Sequence, residues 1–238
     1  MGEIPAFAPN IATGADDGKI LIWTLDPTSP EQKSFTITGH SERVNRVEFH
    51  PDGNTFISAS YDKSWGLWDA KKLKEIFKQK GHLKEIHSLS VHGDGSLIVT
   101  GDLGGYGMVW DLRTGRGIYE IEVSSSILCS CFHPNGYELA VGGKNNMISI
   151  FDLRRKKEIK LVPAHNKLVS DLQYSEGGHV LLSGSHDDTM KIWHGREYTL
   201  LRELEQPSKV TSVALRGDYV SATMINGKWS LWINSKTI

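Results

Sequence analysis

Ser60-Tyr61-Asp62-Lys63-Ser64-Trp65-Gly66-Leu67-Trp68-Asp69 reads as a turn followed by a short strand that ends on an indole and a carboxylate. The acidic residue near its start suits a turn, and the aromatic residues after it suit a strand. A run of apolar, strand-forming residues ending on such an aromatic residue, with or without the carboxylate after it, recurs along the chain as Ile20-Leu21-Ile22-Trp23, Met108-Val109-Trp110-Asp111, Ser149-Ile150-Phe151-Asp152, Lys191-Ile192-Trp193-His194 and Ser230-Leu231-Trp232-Ile233. From Trp23 the steps between the aromatic residues are 45, 42, 41, 42 and 39 residues. A period of this size means one supersecondary unit repeated, each copy covering the apolar face of the next.

Three further marks keep the same register. Gly39-His40, Gly81-His82 and Ala164-His165 place a histidine 28 residues before the tryptophan of their repeat. Asp17, Asp62 and Asp187 stand six before it, and Thr13, Ser58, Thr100 and Ser183 ten before it. Between the marks the pattern is strand and turn. Val44 to Phe49 alternates apolar and polar residues, and Thr55 to Ser60, Trp65 to Trp68 and residues 74–79 supply three more strands. His50-Pro51-Asp52-Gly53 and Pro134-Asn135-Gly136 are turns. Four short strands per repeat and no helical period predict an all-β chain.

Period and marks together resemble WD40 repeat proteins, which implies a β-propeller with one repeat per blade. The resemblance also implies a hydrogen-bond chain within a blade, through His40, Ser58, Asp62 and Trp68 in one repeat and His165, Ser183, Asp187 and Trp193 in another. The chemistry agrees: an indole N–H only donates, a hydroxyl donates and accepts, an imidazole passes the chain on, and a carboxylate accepts. Other repeats depart from the pattern, with Gly104 in place of Asp, Val123 and Asn145 in place of His and Asp, and Gln206 and Asn226 in the last repeat. Those repeats are expected to be softer. The His/Ser/Asp sets are not read as catalytic triads, because they recur and a nucleophile needs one exposed place.

The 238 residues form one expected domain, 1–238, with six repeat marks. The first repeat lacks a clear first strand and the last lacks an outer strand, and residues 3–8 are too short to supply both. The chain is therefore expected to be part of a larger ring, the alternative being an unusual closed six-bladed one; the family resemblance given below implies about six blades of a truncated seven-bladed ring. Hydrophobic residues make up 39% and charged residues 23%, enough to bury a core, and the net charge of −1 argues against a wholly basic nucleic-acid-binding surface. Cys129 and Cys131 read as small core residues. No apolar run is long enough for a membrane span, and there is no secretory signal or glycosylation sequon. No phosphate loop, zinc spacing or nucleophile elbow appears. Gly101-Asp102-Leu103-Gly104-Gly105-Tyr106-Gly107 is glycine-rich but has no helix behind it. No cofactor, metal site, small-molecule substrate or enzymatic activity is expected.

Some segments are more specific than the general repeat: the opening decapeptide, His92-Gly93-Asp94-Gly95-Ser96-Leu97, Val109-Trp110-Asp111-Leu112-Arg113-Thr114-Gly115-Arg116 and Pro163-Ala164-His165-Asn166-Lys167-Leu168-Val169. In this order they resemble the WD40 subunits of the U4/U6 small nuclear ribonucleoprotein, the pre-mRNA-processing factor four family. That likeness implies a nuclear, non-catalytic scaffold of the U4/U6 and U4/U6.U5 spliceosomal particles in pre-mRNA splicing. Its implied partners are splicing factor three of the U4/U6 particle and the U4/U6 RNA. The alternative is a WD40 adaptor of another complex, such as a ubiquitin-ligase substrate receptor or a signalling scaffold, since a fold does not carry one function.

Binding is expected in the loops that the repeat leaves free. On the face bearing the turns after Gly-His and around the acidic mark, the candidates are Arg43, Tyr61, Lys63, Lys84, Lys144, Lys167, His186 and Lys209. At the opposite turns, Arg113, Arg116, Arg154, Arg155, Lys156 and Lys157 are candidates for contact with RNA phosphate.

Overall fold

The computed structural model describes residues 10–24 and 33–233. Expectations placed on residues 3–8 lie outside the described residues. The chain divides into two compact units, Met1–Ile118 and Tyr119–Ile238.

The first unit opens with a three-stranded antiparallel sheet of β1 (Asn10–Gly14), β2 (Lys19–Thr24) and β3 (Lys33–Thr38). A four-stranded sheet follows, of β4 (Val44–Phe49), β5 (Thr55–Ser60), β6 (Ser64–Asp69) and β7 (Lys74–Lys80). The third comprises β8 (Ile86–Val91), β9 (Leu97–Asp102), β10 (Tyr106–Asp111) and β11 (Arg116–Glu122), and the division between units falls inside β11.

The second unit holds a sheet of β12 (Ile127–Phe132), β13 (Glu138–Gly143), β14 (Met147–Asp152) and β15 (Lys157–Pro163). The next is built from β16 (Val169–Tyr174), β17 (Val180–Ser185), β18 (Thr189–His194) and β19 (Leu200–Glu205). The last has three strands among the described residues, β20 (Val210–Arg216), β21 (Tyr219–Met224) and β22 (Trp229–Ile233). Each sheet runs up and down in chain order, as a propeller blade does, and no helix occurs among the described residues. Six such sheets among the described residues match the all-β blades expected of a WD40 β-propeller.

Central strands are buried on both faces, which explains why they read as continuous apolar runs. In β5, Phe56 packs with Ile20, Ile22 and Trp68 on one side, while Ile57 and Ala59 join Ile86, Ile98 and Trp110 on the other. Alternate residues of one strand therefore serve two different cores. In the second unit, Ala140, Ile148 and Ile150 meet Val169, Leu172 and Trp193, and Leu182 and Met190 meet Val210 and Val213. The fourth strands are mostly exposed and charged, as in Lys74, Glu75 and Lys80 of β7 or Lys157, Glu158 and Lys160 of β15. Charge on an edge discourages pairing with foreign strands.

Two features are not legible in the repeat spacing. The pairing shifts by one residue near the start of β4, β8, β12, β16 and β20, between Val44 and Arg46, for example. It shifts again opposite the repeat aromatic, where Leu67 faces Phe77 but Trp68 faces Glu75 and Ile76 is skipped. Such bulges re-aim the strand beside a bulky side chain. The turns of successive sheets are also tied together, because His50 Nε2 donates to the Gly95 carbonyl at 2.9 Å and His133 Nε2 to that of Gly178 at 3.1 Å. Gly95 (φ +77°) and Gly178 (φ +69°) have no room for a Cβ, which would come within 2.1 Å and 2.4 Å of those imidazoles.

Candidate functional site

The repeat marks meet in hydrogen-bonded chains. Trp68 Nε1 donates to Ser58 Oγ at 2.7 Å, Ser58 lies 2.7 Å from His40 Nε2, and His40 Nδ1 lies 2.9 Å from Asp62 Oδ2. Since the Asp62 carboxylate can only accept, the neutral His40 ring carries its proton on Nδ1, which leaves Nε2 to accept from the Ser58 hydroxyl. The same order joins Trp193, Ser183, His165 and Asp187 at 2.9, 2.8 and 3.0 Å. Ser58 and Ser183 are completely buried, so neither hydroxyl can meet a substrate. The Gly-His glycine is needed for packing: a Cβ at Gly39 would lie 2.2 Å from the Trp68 ring and one at Gly81 2.5 Å from Trp110.

A third chain is complete, contrary to the reading of Gly104 as a gap. Trp110 Nε1 donates to Thr100 at 2.8 Å, Thr100 meets His82 Nε2 at 2.7 Å, and His82 Nδ1 meets Asp102 Oδ2 at 3.0 Å. Asp102, two residues upstream of the expected position, supplies the carboxylate, and Gly104 N donates to it at 2.8 Å. The expected softness is thereby confined to the repeats that lack the set. Phe151 replaces the indole in one of them. In the last, Trp232 is exposed and the buried Gln206 accepts a bond from Ser230 at 2.7 Å.

Charge in these chains depends on pH. Burial, outweighing Asp62 and Asp187, lowers the His40 and His165 pKa below the ordinary 6.5. Burial would raise Asp62, but bonds from Ser64 and His40 hold its carboxyl well below the usual range, and Asp187 is likewise lowered to about 2. On acidification the unfolded chain therefore takes protons at these histidines before the folded chain does. This contribution to stability is full above pH 6.5 and is lost as the pH falls through the lowered folded values. The urea midpoint should drop between about pH 7.5 and about pH 5.5, and His40→Gln should shrink that drop. A midpoint independent of pH over this range would mean that the buried imidazoles are not held neutral.

The loop candidates form two groups, one in each unit. In the first unit, the Arg43 guanidinium lies 5.7 Å from the Tyr61 ring centroid and pairs with Asp16 at 3.2 Å, and Tyr61 sits 6.3 Å from His87. Lys63 is exposed in the β5–β6 turn with φ +66°, and Lys84 lies beside Gly104. In the second unit, Lys144, Lys167, His186 and Lys209 line one cleft of about 480 Å³, together with Asn146, Asn166 and Leu168. The last three were not picked out from the sequence, although each lies within two residues of a lysine that was. His186 is held below its ordinary pKa by burial and by the neighbouring Lys209.

The opposite turns look different. Arg154 meets Asp152 at 3.3 Å with its guanidinium 3.5 Å from the Tyr137 ring centroid, Arg155 meets Asp152 at 3.8 Å, and Arg113 meets Asp111 at 3.8 Å. Where a carboxylate closes the repeat, it also accepts backbone N–H groups of the following turn, from Arg113 to Asp111 and from Arg154 to Asp152, at 2.8 and 2.9 Å. These arginines are partly neutralised by their own repeat. Arg116, Lys156 and Lys157 are exposed at the same turns. No group of three or more metal-ligating side chains occurs among the described residues, and no helix is long and apolar enough to cross a membrane.

Comparison with known proteins gives both a family and relatives. The family model described as WD domain, G-beta repeat matches residues 31–69, 73–111, 117–152 and 156–194, well over half of the chain. Human pre-mRNA-processing factor 19 is 35% identical over 173 residues, 71% of this chain and 34% of that protein. Mouse telomerase protein component 1 is 27% identical over 233 residues, 95% of this chain and 9% of that protein. Apoptotic protease-activating factor 1 of Danio rerio is 26% identical over 178 residues, 74% of this chain and 14% of that protein. The chain thus spans about a third or less of the length of these relatives.

Proposed function

Because the chain belongs to the WD domain, G-beta repeat family, we propose that it is a non-catalytic scaffold that holds partner segments in its loops. The observation that carries this reading is the cleft of the second unit, where loops from four turns bring Lys144, Lys167, His186 and Lys209 together. The repeat residues are consumed by the fold: their hydroxyls, imidazoles and carboxylates already bond one another in the interior.

The finer reading is a nuclear scaffold of the U4/U6 and U4/U6.U5 particles, in contact with splicing factor three and with U4/U6 RNA directly or through protein. It rests on the four specific segments and on the likeness to human pre-mRNA-processing factor 19. The likeness to the telomerase and apoptotic proteins supports the second reading, an adaptor of a different complex. Tagged protein recovered from nuclear extract should bring down U4 and U6 RNA above the level of other small nuclear RNAs. Recovery of a protein complex free of both RNAs would overturn the splicing assignment in favour of the second reading.

A further inference from the structure

We propose that the cleft of the second unit binds an extended peptide segment rich in aspartate or glutamate. This deepens the scaffold reading and rests on it. The walls come from the β13–β14 turn (Lys144, Asn146), the β15–β16 connection (Asn166, Lys167, Leu168), the β17–β18 turn (His186) and the β19–β20 connection (Lys209).

Charge is the first argument. Lys144, Lys167 and Lys209 are exposed, and their ammonium groups form no ion pair or hydrogen bond among the described residues. Several cations elsewhere in this unit are answered. Lys191 bonds the Ala164 carbonyl at 2.9 Å and meets Glu203 at 3.4 Å, Lys160 bonds the Glu197 carbonyl, and Arg154 and Arg155 share Asp152. The nearby carboxylates do little to cancel the cleft. Asp187 is taken up by His165, Thr189 and the Asn166 N–H, which leaves Asp188 beside His186. Converging unanswered cations attract an anionic partner and steer its approach.

The remaining walls select among anions. Asn166 offers an amide that can both donate and accept, as a peptide backbone requires, Asn146 keeps its amide oxygen and one N–H while its Nδ2 donates to the Asn166 carbonyl at 3.3 Å, and Leu168 offers an apolar contact. The one aromatic ring in the cleft is the His186 imidazole, with no Phe, Tyr or Trp beside it, whereas single-stranded nucleic acid is held largely by successive bases stacked on several aromatic side chains. A volume of about 480 Å³ suits a few side chains of an extended segment rather than a folded surface.

The full chain should bind a short fluorescent peptide alternating glutamate and serine, read by anisotropy, and should ignore the same peptide with glutamine for glutamate. The triple variant Lys144→Ala/Lys167→Ala/Lys209→Ala should bind at least about 10-fold more weakly. Arg154→Glu/Arg155→Glu should leave the affinity within about 2-fold. Thermal melting should match the parent, because the three lysines are exposed. Equal binding of the glutamine peptide, equal or tighter binding of oligouridylate, an unaffected triple variant, or no peptide binding at all would each overturn the proposal. Co-purification separates the two readings: a wild-type chain that recovers a partner complex but ignores the peptide loses the cleft assignment alone. One that binds the peptide but recovers no complex loses the scaffold assignment.

Discussion

Asp102→Ala should destabilise the first unit by about 3 kcal/mol, through donors stranded in the interior. Asp102 is 1% exposed and accepts bonds from His82 Nδ1 at 3.0 Å, Gly104 N at 2.8 Å and Tyr106 N at 3.0 Å. Burial alone would raise its pKa, yet these bonds hold it below the ordinary value, so the charged form is the one the fold uses. Repeat spacing suggests a different repair, Gly104→Asp, which restores an acidic residue six before Trp110. The structure predicts that this substitution destabilises. A Cβ at Gly104 would lie 2.9 Å from Lys84 Cγ and 3.1 Å from Asp102 Oδ1, and the new carboxylate would crowd one already in place. The double variant Asp102→Ser/Gly104→Asp recreates the arrangement of the second sheet, where Ser60 and Asp62 hold those places. It should recover most of the loss, and the strong coupling between the sites would be visible in a double-mutant cycle. Urea denaturation of the parent, Asp102→Ser, Gly104→Asp and the double variant closes the cycle, with Asp102→Ala measured beside them. Additive effects, or a stabilised Gly104→Asp protein, would show that Asp102 does not fill the carboxylate's role.

The second large effect is expected at Trp68. It is 1% exposed, stacks on Phe56 with centroids 6.2 Å apart and planes 14° apart, and meets the edge of His40 at 5.8 Å. Trp68→Ala should cost about 3–5 kcal/mol, because Gly39 and Gly66 are shaped to the indole and nothing else fills its volume. Trp68→Phe keeps one six-membered ring in place but removes the donor to Ser58 and the volume of the second ring, at a smaller cost of about 1–3 kcal/mol. Thermal melting should separate the two by several degrees. Equal melting temperatures would mean that the indole N–H, and not the ring volume, carries the effect. Trp65 provides a contrast. It too is 1% exposed and lies 5.6 Å from Trp110, yet its N–H has no partner among the described residues. Its contribution is packing alone.

The difference between these tryptophans shows where sequence reading succeeds. Trp68 is recognisable because Ser58, Asp62 and His40 accompany it at spacings that recur with Trp193. A fixed spacing survives only if the backbone between the marks has a fixed path, so recurrence reports local geometry directly. The same logic misplaces the third carboxylate. Asp102 sits at the Ser60 position, and it reaches His82 because its side chain is longer than serine and the turn leads back toward the imidazole. Spacing does not register that substitution of reach for position. His194 shows a similar exchange, since it closes its repeat in place of aspartate and accepts the Arg196 and Glu197 N–H groups through Nδ1 at 3.3 and 3.2 Å.

The amino-acid sequence by itself determined the all-β class, the six repeated third strands, the two regular His-Ser-Asp-Trp chains and the loops in which function must lie. These follow from alternation and recurrence, which are properties of consecutive residues along extended backbone. Only the tertiary structure decided that Asp102 completes a third chain and that Arg113, Arg154 and Arg155 are answered by their own repeat carboxylates. It alone brought Lys144, Lys167, His186 and Lys209 around one cleft with Asn146, Asn166 and Leu168. Those outcomes depend on turn geometry, side-chain length and the packing of successive twisted sheets. Such packing joins residues that are tens of positions apart: Lys144 and His186, like Lys167 and Lys209, stand one repeat of 42 residues apart, but spacing alone does not say that their turns meet.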